Sequence, residues 1–170
     1  LTADQRQFLR ETNDAQAQLI ANAAVPGTNS PSQFVFVAAF DGTNNDVEPP
    51  RGELSTNIVQ LRDQVRSKQD SGFQIQERYF SGPGTKGTLT ASSWLPLQVT
   101  KQVIRTAERA YARFVQDAGN WLIDHPGGSV TVALTSFSRG GASAAIFSQM
   151  LYERGLRDPD EPSRYLLAPG

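Results

Sequence analysis

Residues Ser136-Phe137-Ser138-Arg139-Gly140-Gly141 carry the strongest chemical signal in the chain. They follow an apolar, β-branched run, SVTVALTS, and precede an alanine-rich stretch with helical spacing. A serine between a buried strand and a helix, flanked by small residues, has the setting of a nucleophile elbow, written G-x-S-x-G. The flanks must be small because the serine sits on a strained turn. Its hydroxyl then stands clear of the sheet, and the first turn of the helix aims backbone N–H groups at a developing oxyanion. Ser136 takes the place of the first glycine, so the match is imperfect. The same residues also suit an ordinary glycine-rich turn with Ser138 as helix cap.

A second cluster, Asp41-Gly42-Thr43-Asn44-Asn45-Asp46, directly follows the apolar run QFVFVAAF (33–40). Parallel α/β sheets bind ligands beyond the carboxyl ends of their strands. One use of such a loop is phosphate chemistry of the D-x-D-G-T type, but Ala39 stands where that pattern has its nucleophilic aspartate. Another is an oxyanion loop, with N–H groups near Gly42 and Thr43 facing the substrate of the serine. A third is a plain Asx-type turn. The spacing is not that of an EF-hand. Residues Gly82 to Gly87 formally read G-x-G-x-x-G, but Pro83 removes an N–H and no clean helix follows, which argues against a dinucleotide fingerprint.

Supporting residues are scarce. The single histidine, His125, precedes Ser138, whereas an elbow-type triad runs serine, acid, histidine. It is expected at the amino end of its strand, in a structural role at a helix end. Asp158 and Asp160 follow Ser138, in a charged segment expected to be a solvated face. Arg139 suits a phosphate or carboxylate, or simply a surface helix start. With no cysteine, disulfides, thiolate metal sites and cysteine nucleophiles are excluded. A net charge of -1 offers no basic excess for nucleic acid. The longest apolar run, Phe34 to Phe40, is too short to span a bilayer, and no secretory signal is visible.

The elements that must hold these residues follow from periodicity. A helix is expected over 3–23 and a loop over 25–32, followed by strand 33–40 and loop 41–52. Ser55 or Thr56 caps a helix to about Lys68, with Ile58, Leu61 and Val65 on one face. FQIQERYF (73–80) is a strand, 81–96 a loop, 97–122 a long helix and 129–136 a strand. A turn over 137–141 leads to helix 142–154, stopped by Gly155, and then to a charged tail. Alternating strands and helices predict a mostly parallel α/β layer fold. Residues 1–32 read as an N-terminal helix and linker, and 33–170 as the α/β domain.

FDGTNND (40–46), STNIVQL (55–61), YFSGPGT (79–85) and SFSRGG (136–141) together resemble, in order and placement, a bacterial α/β-hydrolase family. That family includes the first class of type VI secretion lipase effectors, which are phospholipases. The resemblance spans roughly residues 33–154. It implies a three-layer α/β-hydrolase-like fold, of which this chain is an N-terminal portion running through the elbow. It implies Ser138 as nucleophile, with Asp41, Gly42, Thr43 and Arg139 shaping the oxyanion side, and Thr56-Asn57 as a helix start. The implied reaction is acyl-ester hydrolysis through an acyl-serine, on a lipid or acyl-ester substrate, without metal or organic cofactor. It also implies a bacterial protein delivered by a secretion system without a signal peptide. No histidine follows Ser138, so the triad acid and histidine are expected from a missing C-terminal part or a second chain. Without them the chain alone is expected to be nearly inactive. The alternatives are a non-catalytic α/β binding scaffold or a phosphate-handling enzyme using Asp41.

Overall fold

The computed structural model describes residues 33–48, 54–70, 74–85 and 96–170, together with Gln7. The expected helix over 3–23 and loop over 25–32 lie outside the described residues, apart from Gln7, which is helical. The elements are β1 (Gln33–Phe40), α1 (Asn57–Asp70), β2 (Ile75–Phe80), α2 (Pro96–Asp124), β3 (Ser129–Ser136), α3 (Gly140–Arg154), β4 (Leu156–Arg157) and β5 (Tyr165–Leu167). Strands β2, β1 and β3 pair in that order, all parallel, with Phe40 level with Phe80 and Ser136. The fold is α/β.

The alternating directions of β1's side chains explain the layering. Val35 and Val37 pack with Leu61 and Val65 of α1. Phe34, Phe36, Ala38 and Phe40 face the other way, onto α2 and α3. Both faces are therefore covered, which is why this strand reads as an unbroken apolar run. On α2, Ala107, Ala110 and Ala118 are fully buried, and these small side chains let the helix lie close to the sheet. Phe114 fills the gap between them. Its ring meets Phe36 edge-on at 5.4 Å, and Phe147 of α3 completes the cluster at 6.3 Å from both. Such aromatic pairs add about 0.5–1.5 kcal/mol each beyond the area they bury.

The segment after α3 departs from the sequence expectation. It forms an antiparallel pair, β4–β5, with Leu156 opposite Leu167, instead of a solvated tail. Leu156 is fully buried in the main core, and Tyr111 of α2 donates its hydroxyl to the Gly155 carbonyl at 3.1 Å. Asp158, expected on a solvated face, is buried. Its carboxylate accepts the N–H groups of Asp160 (2.7 Å) and Glu161 (3.0 Å) and pairs with Arg164. Burial alone would raise this carboxyl. The two N–H donors and the Arg164 guanidinium outweigh it and hold Asp158 below its ordinary 3.8.

A depressed carboxylate contributes stability above its unfolded pKa and loses it as pH falls through the folded value. The turn 158–164 is therefore expected to stay closed at neutral pH and to loosen as pH drops below the ordinary aspartate value. Amide-exchange protection of Asp160 and Glu161, corrected for intrinsic rates, should fall there before the α2–α3 core opens.

Candidate active site

The chain leaves β1 toward α1 on one face of the sheet and leaves β3 toward α3 on the other. This topological switch opens a crevice beyond the carboxyl ends of β1 and β3, where ligands of open α/β sheets bind. The Asp41 loop and the Ser138 turn meet there. Phe137 N–H donates to the Phe40 carbonyl at 3.0 Å, which extends the strand pairing into the turn. Ser138 then takes φ 53, one of two non-glycine residues with positive φ among those described. That conformation costs a side chain about 1–2 kcal/mol. Arg139 is the N-cap of α3, with no side-chain cap hydrogen bond, so Ser138 does not serve as the cap. The Ser138 hydroxyl has no hydrogen-bond partner among the described residues and the residue is exposed.

Gly140 makes this turn possible. A Cβ there would lie 2.5 Å from the Phe40 carbonyl oxygen and 2.6 Å from that of Asp41. Gly42 is equally constrained, since its Cβ would meet the Phe137 ring at 2.6 Å. A Cβ on Gly82 would fall on the Gly42 carbonyl itself. The glycines of the three loops are therefore contact points at which backbones touch.

Asp41 organises the crevice from below. It is buried, and its carboxylate accepts four hydrogen bonds. Oδ1 takes the Gly42 N–H at 2.7 Å and the Asn45 amide at 3.3 Å. Oδ2 takes the Thr56 hydroxyl at 2.5 Å and the Tyr79 hydroxyl at 2.8 Å. Thr56 Oγ1 in turn accepts the Val59 N–H at 3.3 Å and so caps α1. Burial, reinforced by Asp41, pushes the Tyr79 hydroxyl up and keeps it a donor. Thr56 and Tyr79 were legible only as parts of a helix start and a strand. The spacing of STN before an apolar helix could have pointed to Thr56. Tyr79 stood in the sequence only as the first residue of the YFSGPGT segment, with no role attached.

Above Asp41, Arg139 Nη1 donates to Thr43 Oγ1 at 3.1 Å, so the two loops are joined at the surface as well. Ser138, Arg139, Gly42 and Thr43 thus come together, with Asp41 beneath them. His125 does not join them. It stacks on Trp121 at 4.4 Å, with Nδ1 2.9 Å from the Trp121 carbonyl, before the first residue of β3. An eight-residue strand separates it from Ser138, a distance of about 25 Å. Asp158 lies past the far end of α3. No cluster of histidine, aspartate and glutamate able to hold a metal occurs among the described residues. No helix among them is long and apolar enough to cross a membrane.

A protein-family model described as the catalytic domain of Tle1-like phospholipase effectors of the type VI secretion system matches residues 35–166. The chain belongs to this Tle1-like family. The match runs from β1 to β5 and takes in the whole Asp41–Ser138 crevice. Membership associates the chain with bacterial type VI secretion and with lipid hydrolases. No curated protein and no solved structure matches the chain.

Two substitutions separate support from strain. Asp41→Asn turns one carboxylate oxygen into an amide donor, so either the Thr56 and Tyr79 hydroxyls or the Gly42 N–H and the Asn45 amide lose their acceptor, at a cost of about 1–3 kcal/mol in urea denaturation. Ser138→Gly relieves the positive φ and should gain about 0.5–1 kcal/mol, whereas Ser138→Ala should gain nothing.

Proposed function

We propose that this chain is the nucleophile-bearing part of a serine hydrolase that cleaves acyl esters, of the lipase or phospholipase type, on an α/β-hydrolase-like fold. The observation that carries this is Ser138, held at positive φ between β3 and α3 at the switch point of the sheet, its hydroxyl without a partner among the described residues. Membership of the Tle1-like family supports it.

The Ser138 Oγ would attack the ester carbonyl carbon and form a tetrahedral oxyanion. The Arg139 N–H, at the start of α3, is one donor to that oxyanion. Gly42 N–H is taken by Asp41, which leaves Thr43 N–H as the loop's donor; it has no acceptor among the described residues. Collapse of the intermediate expels the alcohol and leaves an acyl-serine, which water then hydrolyses. Both steps need a base within hydrogen-bond reach of Oγ. His125 is too far away, so the acid and histidine must come from polypeptide outside these residues. Asp41 does not suit nucleophilic phosphate chemistry, because all four of its hydrogen bonds are internal.

The test uses this chain together with whatever polypeptide supplies the histidine. A fluorophosphonate probe should label Ser138, and Ser138→Ala should abolish both labelling and ester hydrolysis. The isolated 170-residue chain should turn over at least about 10⁴-fold more slowly. Full hydrolysis by Ser138→Ala would overturn the assignment in favour of a non-catalytic scaffold.

A further inference from the structure

Helix α2 turns one face to solvent along its length. Lys101, Arg105, Arg109 and Arg113 lie on it, all exposed and each four positions from the next. Residues four apart are neighbours on a helix, so these cations form one row about 18 Å long, with about 6 Å between successive members. That spacing is shorter than the Debye length at physiological salt, so their potentials add.

Carboxylates do not balance the row. The helix has three acids, Glu108, Asp117 and Asp124. Glu108 pairs with Arg154 of α3 at 2.9 Å, and Asp117 with Arg78 of β2 at 2.7 Å. Asp124 closes the helix about 16 Å beyond Arg113. Arg109 and Arg113 donate to neutral groups, the Thr106 hydroxyl and the Gln116 amide, each at 3.2 Å. Lys101 and Arg105 have no ion pair among the described residues. Like charges at this spacing weaken a helix, so the row opposes the stability of α2 instead of supporting it.

The row starts at the crevice end of the molecule. Gly84 N–H donates to the Gln102 side chain at 3.1 Å, and the Thr85 hydroxyl donates to the Asn45 carbonyl at 3.0 Å. The loop after β2 thus ties the beginning of α2 to the Asp41 loop. One turn from Lys101, Ile104 is 41 % exposed.

We propose that the outer face of α2 docks the protein on an anionic lipid surface, with the four cations over the headgroups and Ile104 at their level. Charge complementarity requires a partner with many negative charges. A straight row on a convex helix fits a plane better than a groove, and an exposed aliphatic side chain among cations suits the headgroup boundary. No aromatic side chain, on which bases could stack, is exposed among the described residues of α2. A net charge of -1 gives the chain no general excess for a nucleic acid. The choice of a lipid surface also rests on the acyl-ester reading above.

Co-sedimentation of the full chain with phosphatidylcholine vesicles, with and without phosphatidylglycerol, tests this. The chain should bind only the vesicles that contain phosphatidylglycerol, and high salt should release it. Lys101→Gln should weaken binding about fivefold, and Lys101→Gln with Arg105→Gln about 25-fold. Glutamine matches lysine and arginine in helix propensity, so α2 should persist. Lys68→Gln, at an exposed position on α1, makes the same change in net charge and should shift binding less than about twofold. Equal weakening by Lys68→Gln and Lys101→Gln overturns the proposal, since net charge alone would then account for the attraction. No binding to either vesicle, or equal binding to both, overturns it as well. Tighter binding to a DNA duplex than to the anionic vesicles overturns it in favour of nucleic acid. The assay needs no turnover, so Ser138→Ala should bind as the unaltered chain does. A chain that binds these vesicles while Ser138 resists labelling overturns the hydrolase reading alone. One that is labelled but does not bind overturns the docking face alone.

Discussion

A carboxylate withdrawn from water must receive hydrogen-bond donors from the chain around it. Asp41 takes them from its own loop, from the start of α1 and from β2. Those partners cannot be satisfied one at a time. Fixing Thr56 against Oδ2 fixes where α1 begins, and fixing Tyr79 sets β2 beside the loop. The Gly42 N–H, drawn in toward Oδ1, turns the loop so that Thr43 becomes the next residue to face the crevice. Asp41 therefore acts as the anchor of the loop that meets the Ser138 turn.

Backbone contact does the rest. Where Gly140 lies against the Phe40 and Asp41 carbonyls, and Gly82 against Gly42, no side chain separates the loops. Packed backbones deform little, because every shift meets a hard contact. The strain at Ser138 persists for the same reason: β3 fixes one side of the turn and the close seat of Gly140 fixes the other. Positive φ at an exposed serine is thus sustained by neighbours that cannot relax.

The sequence made the central sheet legible because β1 is buried on both faces and so contains nothing but apolar residues between Phe34 and Phe40. It made α1 and α2 legible because their buried positions recur at helical spacing. It also placed Ser138 and the Asp41 loop at strand ends, where a parallel sheet collects its functional residues. It failed where structure depends on partners distant in the chain. Thr56 and Tyr79 lie 15 and 38 residues from Asp41, and no local pattern connects them. The pair β4–β5 is too short, at two and three residues, to show any periodicity. Asp158 reads as one acid among several, and only the turn that delivers two N–H groups and Arg164 to it explains its burial.

Strands β1 and β3 differ in composition and in surroundings: β1 is apolar after Gln33, whereas half of β3 is serine or threonine. The first lies between two neighbours; the second pairs with β1 alone among the described residues, and Leu134 remains 40 % exposed. An uncharged, β-branched strand with one open edge is a template for further pairing. Its carboxyl end leads directly to Ser138. In a parallel sheet, every added strand brings its own following loop to that same end. A segment docked beside β3 would therefore deliver residues next to the Ser138 hydroxyl, which His125, at the opposite end of the strand, cannot approach without unravelling the sheet. Among the described residues, the open edge of β3 is thus the side of the sheet from which a base could reach the serine.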